Sequence, residues 1–62
     1  MKRRTIYMWQ DAPILDRLSI YDNYVYLANR RGDNTHFDFE EFDQLYYNHS
    51  FYSVMAKFEG EN

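Results

Sequence analysis

Leu18-Ser19-Ile20-Tyr21-Asp22-Asn23-Tyr24-Val25-Tyr26-Leu27 is the stretch on which the fold turns. Two arms rich in Ile, Val, Leu and Tyr flank Asp22-Asn23, and both central residues tolerate the positive φ that a two-residue hairpin turn requires. β-Branched and aromatic side chains also suit a pleated, half-buried surface. The stretch therefore predicts a β-hairpin, its second arm running to Ala28 or Asn29.

Upstream, Thr5-Ile6-Tyr7-Met8-Trp9 is a short β-prone run that Gln10-Asp11-Ala12-Pro13 stops, since Pro13 cannot donate to a ladder and restricts Ala12. Downstream, Arg30-Arg31-Gly32-Asp33-Asn34 reads as an exposed turn with Gly32 as its flexible point. Asp38 to Asn48 predicts a helix: Phe39, Phe42, Leu45 and Tyr46 fall within roughly 120° on a helical wheel, with Glu40, Glu41 and Asp43 outside that stripe. Thr35 or Asp38 can cap its start, and acids in the first turn suit the positive end of the helix dipole. In Phe51 to Glu59 the residues Tyr52, Val54, Ala56 and Phe58 alternate with Ser53, Met55, Lys57 and Glu59, the pattern of a half-buried strand. The expected order is strand, β-hairpin, helix, strand. This is a single α+β domain over residues 1–62, one helix packed on a small antiparallel sheet, with Gly60-Glu61-Asn62 as a frayed tail.

A chain of 62 residues buries only about 60% of its unfolded surface, so its core is small and oligomerisation is a natural supplement. With no cysteine there is no disulfide framework and no thiolate metal site. Aromatics are 21% of the chain, seven Tyr, five Phe and one Trp, against nine Leu, Ile and Val. Either rings replace aliphatics in the core, or part of them lies at a binding interface. The net charge of −3 is unevenly spread: residues 1–32 carry six basic and three acidic side chains, residues 33–62 one basic and seven acidic. An acidic half repels duplex DNA and attracts basic, DNA-binding proteins. Met1-Lys2-Arg3-Arg4 is followed by too short an apolar run for a signal peptide, and no transmembrane run exists, so a soluble, cytoplasmic protein without a membrane partner is expected.

Enzyme signatures are thin. The two glycines, Gly32 and Gly60, make no phosphate loop, and no cofactor is expected. His36 and His49 bracket the expected helix and, with nearby carboxylates, offer at most a remote metal set. Ser50, His49 and Asp43 are too close in sequence to suggest a triad. Lys2-Arg3-Arg4 and Arg30-Arg31 could grip phosphate while Tyr7, Trp9, Tyr24 and Tyr26 stack bases from a sheet, as in a single-stranded nucleic-acid-binding module. A pI of about 5.1 weighs against direct nucleic-acid binding.

The helix remains. Phe42 and Tyr46 stand one turn apart on one face, with Asp43 beside them. Glu41-Phe42-Asp43-Gln44-Leu45-Tyr46-Tyr47-Asn48 resembles the helix segment of the small dimeric phage inhibitors of uracil-DNA glycosylase, which reads acidic, Phe, acidic, any, Leu, Tyr, any, Asn. The chain departs from that pattern in having Tyr47 where the family has Gly, and in lacking the family's Glu in the second hairpin arm. The resemblance implies a homodimer acting in a phage host's cytoplasm. It also implies a DNA mimic that blocks the enzyme's DNA groove and traps its apolar intercalating side chain in a pocket between two copies. The residues it assigns to the partner are Phe39, Glu41, Phe42, Asp43, Tyr46 and Tyr47. A DNA mimic acting on another DNA-processing enzyme is the alternative of the same kind.

Overall fold

Residues 6–59 are described in a computed structural model of the chain, and they form helices where a sheet was expected. A single 3₁₀ turn at Trp9–Asp11 leads into α1 (Ile14–Arg30), followed by α2 (Phe39–Leu45) and α3 (Phe51–Lys57). The Lys2-Arg3-Arg4 cluster and the 60–62 tail lie outside the described residues.

The expected hairpin at Leu18–Leu27 is the middle of α1, which overturns the α+β expectation. Both ends of this helix carry local instructions. Pro13 precedes it, and the Pro13 carbonyl accepts from the Asp16 and Arg17 amides at 3.0 and 3.1 Å. At the far end Gly32 takes φ 79°, the Gly32 amide donates to Asn29 O at 3.0 Å, and the Asp33 amide donates to Ala28 O at 2.9 Å. This pair of bonds is a Schellman stop, for which glycine at that φ is the preferred residue. Between the two ends, Arg17, Ile20, Tyr21, Tyr24 and Ala28 recur at helical spacing and turn toward the other elements. A lone hairpin with no third strand is marginal, whereas this face buries Ile20 and Ala28.

The expected strand at Phe51–Glu59 is α3. Val54 and Phe58 are four apart and so satisfy either period, but Phe51 and Val54 are buried while Tyr52 and Ala56 are exposed, the helical i, i+3 choice. Ser50 caps the helix, its hydroxyl accepting from the Ser53 amide at 3.4 Å. Of the expected first strand, Thr5 lies outside the described residues, and Met8 makes an isolated antiparallel bridge to Ser50. The bridge consists of the Trp9 amide on His49 O at 2.8 Å and the Phe51 amide on Tyr7 O at 2.7 Å. Among the described residues there is no strand or sheet beyond it.

Helix α2 is the element that matches its sequence signal. Asp38 accepts from the Glu41 amide at 2.9 Å, and Glu41 returns a carboxylate to the Asp38 amide at 3.2 Å, a complete capping box. The helix ends at Leu45, short of the expected Asn48, because residues 46–48 tighten into a turn.

The core is made of rings. Trp9 stacks on Phe51 at 5.8 Å between centroids and meets Phe42 edge-on at 5.7 Å, while Tyr24 stacks on Phe42 at 4.8 Å. Ala12, Ile20 and Val54 fill the spaces between them, and Tyr7, Tyr21, Tyr46, Met55 and Phe58 close the edges. No described helix is long and apolar enough to cross a membrane.

Candidate functional site

The capping box fixes the orientation of α2 and thereby sorts the six residues that the sequence assigned to a partner. Phe42, four residues beyond the Asp38 cap, points straight into the core with 0% of its surface exposed. Around it stand the rings of Trp9, Tyr21, Tyr24, Tyr46 and Phe58, at centroid distances between 4.8 and 5.7 Å. Phe39 is half-buried edge-on against Tyr21. Tyr46 is half-buried between Trp9, Phe42, His49 and Phe58, and burial pushes its phenol above the ordinary tyrosine value. Glu41 and Tyr47 are exposed.

Asp43 sits at a polar junction inside the fold. It accepts the Trp9 indole Nε1–H at 2.7 Å, and its Oδ1 lies 3.2 Å from Arg17 Nε. Arg17 Nη1 donates in turn to the carbonyls of Gln10 at 3.2 Å and Ala12 at 2.8 Å. One carboxylate thus joins α2 to the 3₁₀ turn and to α1. A buried indole N–H needs such an acceptor, and the guanidinium satisfies carbonyls that the short turn leaves unpaired.

Other sequence candidates separate in space. The sheet that would carry Tyr7, Trp9, Tyr24 and Tyr26 as a stacking platform is absent: Trp9 is buried, the Tyr24 hydroxyl accepts from the Phe37 amide at 2.8 Å, and Tyr26 lies under Arg30. Ser50 is committed to capping α3 and Asp43 to Trp9 and Arg17, so neither is poised for nucleophilic chemistry with His49. Among the described residues no group of three His, Asp or Glu is placed to hold a metal ion.

Two shallow clefts and one exposed stripe were not foreseen. A cleft of about 300 Å³ lies between the end of α2 and α3, lined by Tyr46, His49, Ser53, Val54 and Lys57. Another, of about 290 Å³, lies between α1 and α3, with Asp16 and Ser19 beside Ile20, Phe51 and Met55. Next to it, Ile14, Leu15 and Leu18 stand exposed on the first turns of α1. Their i, i+1, i+4 spacing directly after Pro13 is a legible signal once the segment is taken as a helix. Comparison of the chain with protein-family models, with curated proteins and with solved structures finds no match.

Proposed function

We propose that this chain is a binding protein with no chemistry of its own, which occupies the basic DNA-contacting groove of a DNA-processing enzyme, with uracil-DNA glycosylase as the target. The observation that supports this most is the acidic surface of the described residues. Residues 6–59 hold nine Asp and Glu against four Arg and Lys. Two of those four bases are spent within the chain, Arg17 on Asp43 and Arg31 on Asp33. Asp11, Asp16, Asp22, Asp38, Glu40, Glu41 and Glu59 are all exposed. Such a surface competes with phosphates for the Lys, Arg and backbone donors that line a DNA groove.

The eight-residue likeness at Glu41–Asn48 supplies the choice of target, and the acids of α2 supply its means. The apolar trap takes a different form from the one the likeness implies. Phe42 cannot wall a pocket between two copies without leaving the core, so the apolar groups offered outward here are Leu45, at the end of α2, and Tyr47 in the turn after it. Nor is a second copy needed to hide the rings, because nine of the thirteen are buried or half-buried within one chain.

Excision of uracil from a duplex by purified uracil-DNA glycosylase tests the proposal. Inhibition that weakens as salt rises, and that falls on Glu40→Lys and Glu41→Lys, is expected. Undiminished excision with the chain in large excess over the enzyme overturns it.

A further inference from the structure

The aliphatic side chains lie further out than the rings. Of the nine Leu, Ile and Val residues Ile20 and Val54 are buried and Val25 and Leu27 half-buried, while Ile14, Leu15 and Leu18 cluster on one outward face of α1, exposed to 48%, 74% and 36%. Leu15 and Leu18 are three apart, and Ile14 and Leu18 four apart, so the three form one continuous apolar patch. Ser19, one turn on from Leu15, continues the patch into the α1–α3 cleft, whose floor is Ile20, Phe51 and Met55. Acids rim this surface: Asp11 ahead of α1, Asp16 at the cleft and Asp22 one turn beyond Leu18. The only base in the segment, Arg17, is turned inward onto Gln10 O, Ala12 O and Asp43. Among the described residues none makes a salt bridge to Asp16.

We infer that this face of α1 is the docking surface for a basic amphipathic helix of a partner protein. The partner's apolar residues lie on Leu15 and Leu18. One of its Arg or Lys side chains enters the α1–α3 cleft, with its methylene stem on Ile20, Phe51 and Met55 and its charged head at the Asp16 carboxylate. Long basic side chains cover apolar surface in this way while keeping the charge at a polar rim. Charge chooses the occupant. A second copy paired across Leu15 and Leu18 would bring two sets of Asp11, Asp16 and Asp22 together with no base of the described residues between them, whereas a basic helix neutralises all three. The inference rests on the proposed function in taking the partner to be basic, and it places a further contact on α1 beside the one that the acids of α2 make.

The probe is a synthetic amphipathic helix about as long as α1, with leucine along one face and arginine on its flanks, and the same peptide with glutamate for arginine as its control. Fluorescence anisotropy should show binding of the arginine peptide alone. Leu15→Glu should weaken that binding roughly tenfold or more although it adds a negative charge, so the loss reports the apolar contact. Asp16→Lys should weaken it more than the charge-matched Glu40→Lys on α2. Equal binding of both peptides, indifference to Leu15→Glu, or equal effects of Asp16→Lys and Glu40→Lys overturns the inference. A dimer that Leu15→Glu dissolves also overturns it and gives the face to a second copy. The glycosylase assay separates the two proposals: inhibition without binding of the arginine peptide refutes the α1 face and keeps groove blocking, while peptide binding through Leu15 and Asp16 without inhibition does the reverse.

Discussion

Phe42 is the residue on which the packing converges, touching five other rings with none of its own surface in water. Phe42→Ala should cost about 3–5 kcal/mol, read as a lower urea midpoint, a large share of what so small a domain can possess. Loss of inhibition in that variant would then report unfolding, so this region is better tested through exposed Leu45 at the end of α2 and Tyr47 in the turn after it. Asp43→Ala leaves the Trp9 indole without its acceptor and Arg17 without its partner carboxylate. It should destabilise the fold by about 1–3 kcal/mol, and Asp43→Asn, which keeps an acceptor oxygen, by less. Tyr46 carries a pH signature. Because burial raises its phenol above 10.0, the protonated ring contributes stability that is complete below pH 10 and is lost as pH rises through the higher folded value. Tyr46→Phe should therefore lose less stability than the parent chain in denaturation series carried above pH 10. Asp33 works in the other direction: bonds from the Thr35 amide and hydroxyl hold its carboxyl below 3.8, so its support for the loop is present above that pH and lost in acid.

Each helix is bounded by a device that can be removed singly. In α1 the Schellman stop places Gly32 at φ 79° with nothing within 4 Å of where a Cβ would stand. Gly32→Ala should thus cost about 1 kcal/mol through backbone strain and not through a clash, and Gly32→Asn should cost less, since Asn tolerates that region. In α2, Asp38→Ala removes the carboxylate that accepts from the Glu41 amide and should cost about 1 kcal/mol, visible as a lower melting temperature. The connection from α1 to α2 is held by the Tyr21 hydroxyl, which donates to Phe37 O at 2.9 Å, and by the Tyr24 hydroxyl, which accepts from the Phe37 amide. The resulting far-UV circular dichroism should be that of a helical protein. A spectrum dominated by β-structure would contradict α1 and α3 together.

At the scale of the molecule, nine of the thirteen rings are buried or half-buried, against four of the nine Leu, Ile and Val residues. Rings are large enough that a few of them close a core in a chain too short to assemble many aliphatic side chains. Since the chain hides most of its rings alone, and its outward aliphatics are rimmed by like charges, sedimentation equilibrium at micromolar concentration should give 7.7 kDa and not twice that. Binding to uracil-containing or uracil-free DNA at physiological salt should be absent, as the exposed acids of α1 and α2 repel phosphates.

By itself the sequence determined α2 and the charge. The Asp38–Glu41 box and the stripe through Phe42 and Tyr46 are local interactions, complete within a few residues and independent of what packs on them. The acidic excess needs no fold at all. Tertiary structure alone decided the state of Leu18–Leu27 and Phe51–Phe58, because Ile, Val, Tyr and Phe placed four apart satisfy both a period of two and a period of 3.6. Strand propensities worth at most about 1 kcal/mol are outweighed when one face can be buried whole. For α1 the partners that broke the tie, Phe42, Trp9 and Phe51, are all remote from Ile20, Tyr21 and Tyr24 in the chain. Pro13 and Gly32 did mark the ends of α1, but a proline and a glycine bound a hairpin region equally well until something long-range selects the helix. Tertiary structure likewise decided that Phe42 faces its own chain. An apolar stripe reads the same whether a core or a partner lies against it, and only the positions of Trp9, Tyr24 and Phe58 around that ring supply the answer.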